Sequence, residues 1–380
     1  MQVARLAGGA FGLNPDLTPN QADTAIKKIL VVRYRFIGDT ILTLPFIGNL
    51  KKHYPEAKID VLVGPVSGEV LEHNPAINQL IVFDTTRFHK YDSGKGRTRS
   101  LVSYLIEIRK KHYDMVFVLK RSLTSRLIAF ASGATHRIGY VKRGKSPLLT
   151  RSVPFDQSIH EVDSLLSVLE AANIPVIDRK LEAFVTQEEV GRVLALAPGL
   201  PSARGAKQPQ RFILIHAAAA HPDKLYPLAN WGDLIDLLLQ RSEITIVFSG
   251  DKQDLAIYKS LKQIVQQKGH GQALDARIID LSGQLSLRES LALYSLLDLG
   301  ICTDSGPSHM LSAMQTPTLT LFGPTDPVRW GPYGYHCQAL YREDLECRPC
   351  HYRKVCDDRP CLTQLSPAFI FEKCLNILDR

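Results

Sequence analysis

Short apolar runs, each ending in a polar or glycine-bearing turn and followed by a stretch with helical spacing of its apolar residues, recur along this chain in two separate series. This alternation is the pattern of βα units wound around a mostly parallel sheet, because parallel strands need a crossover and the crossover helix covers the sheet. In the first series, strands are expected at 29–33, 59–63, 80–83, 115–119 and 137–139, with helices over 40–53, 99–111, 122–131 and 161–173. In the second, strands are expected at 212–216, 244–249, 277–280, 300–303 and 318–322, with helices over 231–241, 255–267, 287–297 and 308–314. Between them, residues 196–210 hold three prolines and two glycines and read as a linker.

The expected class is therefore α/β, with two Rossmann-like doubly wound domains facing across a cleft. A chain of 380 residues is also too long for one core of ordinary size. Residues 1–27 read as a loose extension, 28–195 as the first domain, 211–365 as the second, and 366–380 as a terminal helix expected to pack back on the first domain. Open α/β sheets bind ligands beyond the carboxyl ends of their strands, so the strand ends facing the cleft are where chemistry is expected.

Composition removes several classes of protein. No apolar run approaches the roughly 20 residues of a membrane-spanning helix. The first 27 residues show no long apolar stretch with a small-residue cleavage site, which predicts a cytoplasmic protein. Seven cysteines, four of them between 347 and 361, do not form the even framework of a secreted disulfide scaffold. The net charge of +8 is uneven, since residues 87–151 hold 16 Lys or Arg against 3 Asp or Glu and the rest of the chain is net negative. That stretch suits either an anionic partner or a solvated basic face.

Three segments carry candidate chemistry. After the first expected strand come Gly38 and Asp39; Asp39 could be a helix cap or a carboxylate held at the ligand edge, able to take a proton from a hydroxyl. After the first strand of the second domain, the small residues Ala217, Ala218, Ala219 and Ala220 would let the backbone approach a diphosphate, with Lys224 supplying a positive charge. In the third, Thr303-Asp304-Ser305-Gly306-Pro307-Ser308-His309 places hydroxyls and a glycine at the first turn of a helix, where backbone amides favour an anion. His309 is also compatible with a plain core histidine.

Three stretches together resemble the ADP-heptose:lipopolysaccharide heptosyltransferases: ILVVRYRFIGDTILTLPFIGNLKKHYP, HPDKLYPLANW and CTDSGPSHMLSAMQTPTLTLFGPTDPVRWGP. The resemblance runs from about Lys28 to the carboxyl end and implies a GT-B glycosyltransferase that inverts the anomeric centre without an obligatory metal, consistent with the lack of an Asp-x-Asp pair. It implies Asp39 as the general base and Lys224 as the holder of the donor phosphates. Asp304, Ser305, Gly306 and His309, with Ala218 and Ala219, would line the donor site, and Asp254 would take the donor ribose. The first domain would receive the acceptor and the second an ADP-sugar. The implied acceptor is the acidic lipopolysaccharide inner core, for which Lys90, Lys95, Arg97, Arg99, Lys120, Arg121, Arg126, Arg137 and Arg143 are candidates, Lys120 and Arg121 foremost. Membrane contact would be peripheral, on the cytoplasmic face of the inner membrane. This chain departs from many relatives at Tyr226, where they carry Trp, and in the alanine run, where they carry Ser or Thr.

Cys347, Cys350, Cys356 and Cys361 offer enough soft ligands for a tetrahedral structural zinc, and equally suit reduced or partly paired thiols. The competing readings are a related transferase using another nucleotide sugar or saccharide, and a nucleic-acid-binding protein. Against the latter, the basic residues are scattered over several elements and no DNA- or RNA-reading motif is present, so no nucleic-acid partner is expected.

Overall fold

The structure is a computed structural model that describes residues 26–34, 36–84, 99–205, 210–270, 276–353 and 356–379. Among them, twelve strands form two six-stranded parallel sheets. The first sheet comprises β1 (Lys28–Val32), β2 (Lys58–Val63), β3 (Gln79–Val82), β4 (Met115–Val118), β5 (His136–Val141) and β6 (Arg151–Pro154). The second comprises β7 (Arg211–His216), β8 (Ile244–Phe248), β9 (Ile278–Asp280), β10 (Leu299–Thr303), β11 (Thr318–Leu321) and β12 (Cys337–Leu340). Their orders, β3-β2-β1-β4-β5-β6 and β12-β11-β10-β7-β8-β9, each reverse direction once, between β1 and β4 and between β7 and β10. At such a switch point the crossovers leave to opposite faces and open a crevice at the carboxyl edge.

The first domain carries helices α1 (Ile37–Ile41), α2 (Leu44–His53), α3 (Leu101–Lys110), α4 (Leu123–Ser132) and α5 (Glu161–Ala171), followed by α6 (Gln187–Leu196). The second carries α7 (Leu228–Leu239), α8 (Leu255–Val265), α9 (Leu287–Leu296), α10 (Gly306–Ala313), α11 (Pro327–Trp330), α12 (Pro360–Thr363) and α13 (Pro367–Leu378). Strand side chains alternate between layers, as the pleat requires. Ile29 and Val31 join a core that continues into the second domain through Leu291 and Met310, whereas Leu30 and Val32 face Tyr104 of α3 and Ile128 of α4. The two domains thus share one apolar layer on the cleft side.

Several expectations need correction. The helix expected over 40–53 starts earlier and breaks at Leu42 and Thr43, because Pro45 lacks an amide hydrogen and belongs in the first turn of a new helix. The domain boundary falls before α6, since α6 packs on α9, and the Ala183 amide already donates to the carbonyl of Ala313 at 3.0 Å. The terminal helix α13 packs on α7 of the second domain, burying Ile370 and Cys374 in that core, and does not return to the first domain. Strands β6 and β12 were not expected; each is an edge strand with a single fully buried residue, Val153 and Leu340 respectively.

Candidate active site

On the first domain's side, β1 delivers Arg33 into the crevice and α1 delivers Asp39. Asp39 is not a cap: the helix begins at Ile37 with Phe36 before it, which moves Asp39 into the first turn. Its carboxylate lies 3.4 Å from the Arg33 guanidinium. Arg33 also donates to Glu161 at 2.7 Å and to the carbonyl of Leu119, and Glu161 accepts in turn from Arg329 of α11 in the other domain. All three of these charges are buried. Burial alone would lower the Arg33 pKa, but the Asp39 and Glu161 carboxylates raise it above its ordinary value. A buried charge cluster persists only when its members satisfy one another, which makes this a rigid platform for Asp39.

On the second domain's side, the 3-10 turn Pro222–Lys224 follows the alanine run after β7. Lys224 pairs with the Asp304 carboxylate at 2.7 Å and donates to the Asp304 carbonyl at 3.1 Å. Asp304 follows β10, is buried, and also accepts from the Thr325 hydroxyl. Burial would lower the Lys224 pKa, yet Asp304 and the hydroxyl of Tyr352 raise it. Ser305 stands at the N-cap of α10 and turns its hydroxyl to the Thr303 carbonyl at 3.1 Å, leaving the Gly306 amide at an open helix terminus, since Pro307 has no N–H and the Ser308 amide donates to the Ser305 carbonyl at 3.1 Å. The Ala218 carbonyl accepts from Thr303, tying the alanine run to β10, and Ala219 lies beside it, half-buried. Asp254 follows β8 at the same edge, where its carboxylate accepts from the Asp251 amide at 2.9 Å; burial raises its pKa, and Asp251 adds to the rise.

His309 joins the two sides. A Cβ on Gly38 would stand 2.7 Å from the His309 ring, so Asp39 directly follows a tight contact between α1 and α10. Burial holds the His309 imidazole down at about 4, and Asp304, His160, Asp39 and Lys224 all act on it electrostatically. It is neutral at physiological pH, and its Nδ1 is buried without a partner. The carboxylate of residue 39, the lysine–aspartate pair of 224 and 304, and this imidazole therefore share one cleft.

The other candidates divide. Lys120 donates to the Tyr34 carbonyl at 3.0 Å, and Arg121, just beyond the carboxyl end of β4, lies 3.7 Å over the Phe155 ring. Burial lowers the Arg121 pKa; Glu161 opposes this, while Arg329 and Arg33 add to it, so Arg121 belongs to the cleft cluster. Arg137 does not reach the cleft, because it sits at the amino end of β5 and spends its guanidinium on the carbonyls of Leu148 and Ala134. Arg99 is paired with Glu107 at 2.7 Å on α3, Arg143 is exposed in the turn after β5, and Arg97 lies outside the described residues, as do Lys90 and Lys95.

The four clustered cysteines are free thiols. Among the described residues no three His, Cys, Asp or Glu side chains stand where they could hold a metal ion, which corrects the zinc expectation for Cys347, Cys350, Cys356 and Cys361. Cys361 is buried against the apolar core of the second domain while Cys347 and Cys356 are exposed, so although the other three thiols act electrostatically on Cys361 they do not converge on one point.

The cysteine-rich loop contributes something the sequence did not disclose. His351 and Tyr352 both adopt left-handed backbone conformations, φ 50° and 61°, which non-glycine residues rarely hold without compensation. Here the Tyr352 ring stacks on His221 at 4.2 Å and its hydroxyl reaches Lys224. Arg348 and the His351 amide pin the loop to the carbonyls of Gly323 and Pro324. Glu161 and Arg329 were equally hidden, because their partners are far away in sequence.

The sequence matches the glycosyltransferase family 9 (heptosyltransferase) profile over residues 102–358. It is 29% identical over 325 residues to lipopolysaccharide heptosyltransferase 3 of Escherichia coli, covering 83% of this chain and 89% of that protein. In fold it is similar to E. coli ADP-heptose lipopolysaccharide heptosyltransferase II, with a TM-score of 0.71 at 18% identity, over 92% of this chain and 98% of the other. It is also similar to the E. coli heptosyltransferase WaaC with ADP, with a TM-score of 0.67 at 18% identity, over 92% and 99%. A profile that spans most of the chain, on two facing parallel-sheet domains with a charged crevice between them, makes this protein a member of glycosyltransferase family 9, the heptosyltransferases.

Proposed function

We propose that this glycosyltransferase moves heptose from ADP-heptose to the acidic inner core of lipopolysaccharide, with inversion, at the cytoplasmic face of the inner membrane. The observation that carries the reading is the shared cleft: Asp39 on one wall, and on the other a lysine–aspartate pair beside an open helix terminus, with neutral His309 between. The names of the relatives supply the sugar, and the WaaC structure with ADP supplies the nucleotide.

In this mechanism Asp39, oriented by Arg33, takes the proton of an acceptor hydroxyl. The hydroxyl oxygen forms a bond to the anomeric carbon as the bond from that carbon to the diphosphate oxygen breaks on the opposite face. The charge gathering on ADP is met by the Lys224 ammonium and the Gly306 amide at the start of α10. Asp254 holds the donor ribose, and Lys120 and Arg121 receive acidic groups of the acceptor. The test is incubation with ADP-heptose and truncated core acceptors, followed by mass spectrometry of the products. One added heptose is expected; transfer only from a different nucleotide sugar would assign the chain to another donor, and no transfer from any would sink the reading.

A further inference from the structure

We infer that the outer face of α3 and α4 is a docking surface for an anionic lipid bilayer, an inference that deepens the reading of a lipid-anchored acceptor and rests on it. Val102 and Ile106 on α3, and Leu123, Leu127 and Phe130 on α4, are 63%, 52%, 59%, 38% and 54% exposed. Their spacings, i to i+4 on α3 and i to i+4 to i+7 on α4, each make one stripe along a helix. The two helices pack side by side, with an apolar groove between them floored by Leu105 and Ala131. Their opposite sides already fill the core through Tyr104, Ile108, Ile128 and Ala129, so these stripes are surplus to folding. A contiguous apolar patch of this kind marks an interaction site.

Charge selects the occupant. Residues 99–151 contain twelve Lys or Arg and only two acids, Glu107 and Asp114. Both acids are engaged: Glu107 pairs with Arg99, and Asp114 accepts from the backbone amides of Lys27 and Lys28. Arg109 and Lys110 end α3, and Lys142, Arg143 and Lys145 lie exposed in the turn after β5. An apolar groove edged by Arg109 and Lys110, in a stretch of chain rich in Lys and Arg, matches an interface that is apolar below and negatively charged above, as an anionic bilayer is. A second copy of this chain fits poorly, because a two-fold contact would set the same basic surround against itself.

Position agrees with this assignment. Both helices start at the carboxyl edge of the first sheet, the edge that bears Asp39 and Arg121. A saccharide anchored in a bilayer under α3 and α4 would enter the cleft from that rim.

The test uses the full chain and sedimentation with vesicles of phosphatidylethanolamine and phosphatidylglycerol, or of phosphatidylcholine alone, with no donor or acceptor present. The wild type is expected to pellet with the anionic vesicles, to stay in solution with phosphatidylcholine, and to be released as salt rises. Combining Val102→Ser, Ile106→Ser and Leu127→Ser should weaken vesicle binding by about tenfold or more, with unchanged melting temperature and unchanged transfer to a delipidated, water-soluble acceptor. Three results overturn the inference: wild type that ignores anionic vesicles, a variant that binds them normally, or a variant whose change is a lower melting temperature or loss of a dimer. Failure of the wild type on the soluble acceptor would instead strike the functional reading, which the vesicle measurement does not use.

Discussion

The two walls of the cleft hold their charges differently. On the first-domain wall, Arg33, Glu161 and Arg329 are each no more than 7% exposed and are fully engaged with one another and with backbone carbonyls. On the second-domain wall, the Lys224 side chain is 20% exposed, and its partners are one carboxylate, one carbonyl and a phenol on a strained loop. The first arrangement fixes the Asp39 carboxylate in place. The second leaves a cation able to change partners. Rigid and exchangeable electrostatics thus face each other with the His309 imidazole within electrostatic reach of both.

The contrast can be broken most sharply at Glu161. Glu161→Ala leaves two buried guanidinium groups without their shared carboxylate and should cost about 3–5 kcal/mol; a thermal melt close to wild type would show that the wall is not rigid. Acid should act on the other wall. Burial holds His216 and His309 at about 4. Between that value and the unfolded histidine pKa of about 6.5, the unfolded chain binds more protons than the folded one, so stability falls as pH drops through this window. The loss should approach the order of 3 kcal/mol per histidine near pH 4. Unfolding titrations from pH 7 to pH 4 in wild type and His309→Gln measure it, and the variant should lose less.

Smaller effects sharpen the comparison. Asp39→Ala should lower turnover about a hundredfold or more while leaving ADP binding intact; near-normal turnover would remove Asp39 from its role. Lys224→Ala should weaken ADP by about tenfold with little change in melting, since a charged hydrogen bond is worth roughly 1.5–3 kcal/mol and Asp304 keeps the Thr325 hydroxyl; unchanged affinity in a calorimetric titration would refute the clamp. Tyr352→Phe removes only a hydroxyl and should raise the donor KM several-fold with kcat held, as loss of one partly exposed hydrogen bond to the Lys224 ammonium implies. A fall in kcat alone would place Tyr352 in the transition state.

Much of this architecture was legible beforehand because periodicity is local. The central strands are buried on both sides and read as continuous apolar runs, whereas the edge strands β6 and β12 carry too few apolar residues to stand out. Asp39, Lys224 and Asp304 could be found because each follows a strand end. Their pairings could not, since Glu161 meets Arg329 across 168 positions and Tyr352 reaches Lys224 from a loop whose cysteines drew attention to metal. Arg137 misled for a related reason: a basic residue beside a strand carries no mark of which end of the sheet it occupies until the strand's limits are known.

Gly38 has a consequence of its own. With only a hydrogen where other residues carry a carbon, it sets the distance of approach between the halves, because any side chain there would meet the His309 ring at 2.7 Å. It serves as a feeler gauge between α1 and α10: the gap admits only the thinnest residue available, and even a methyl group would act as a shim.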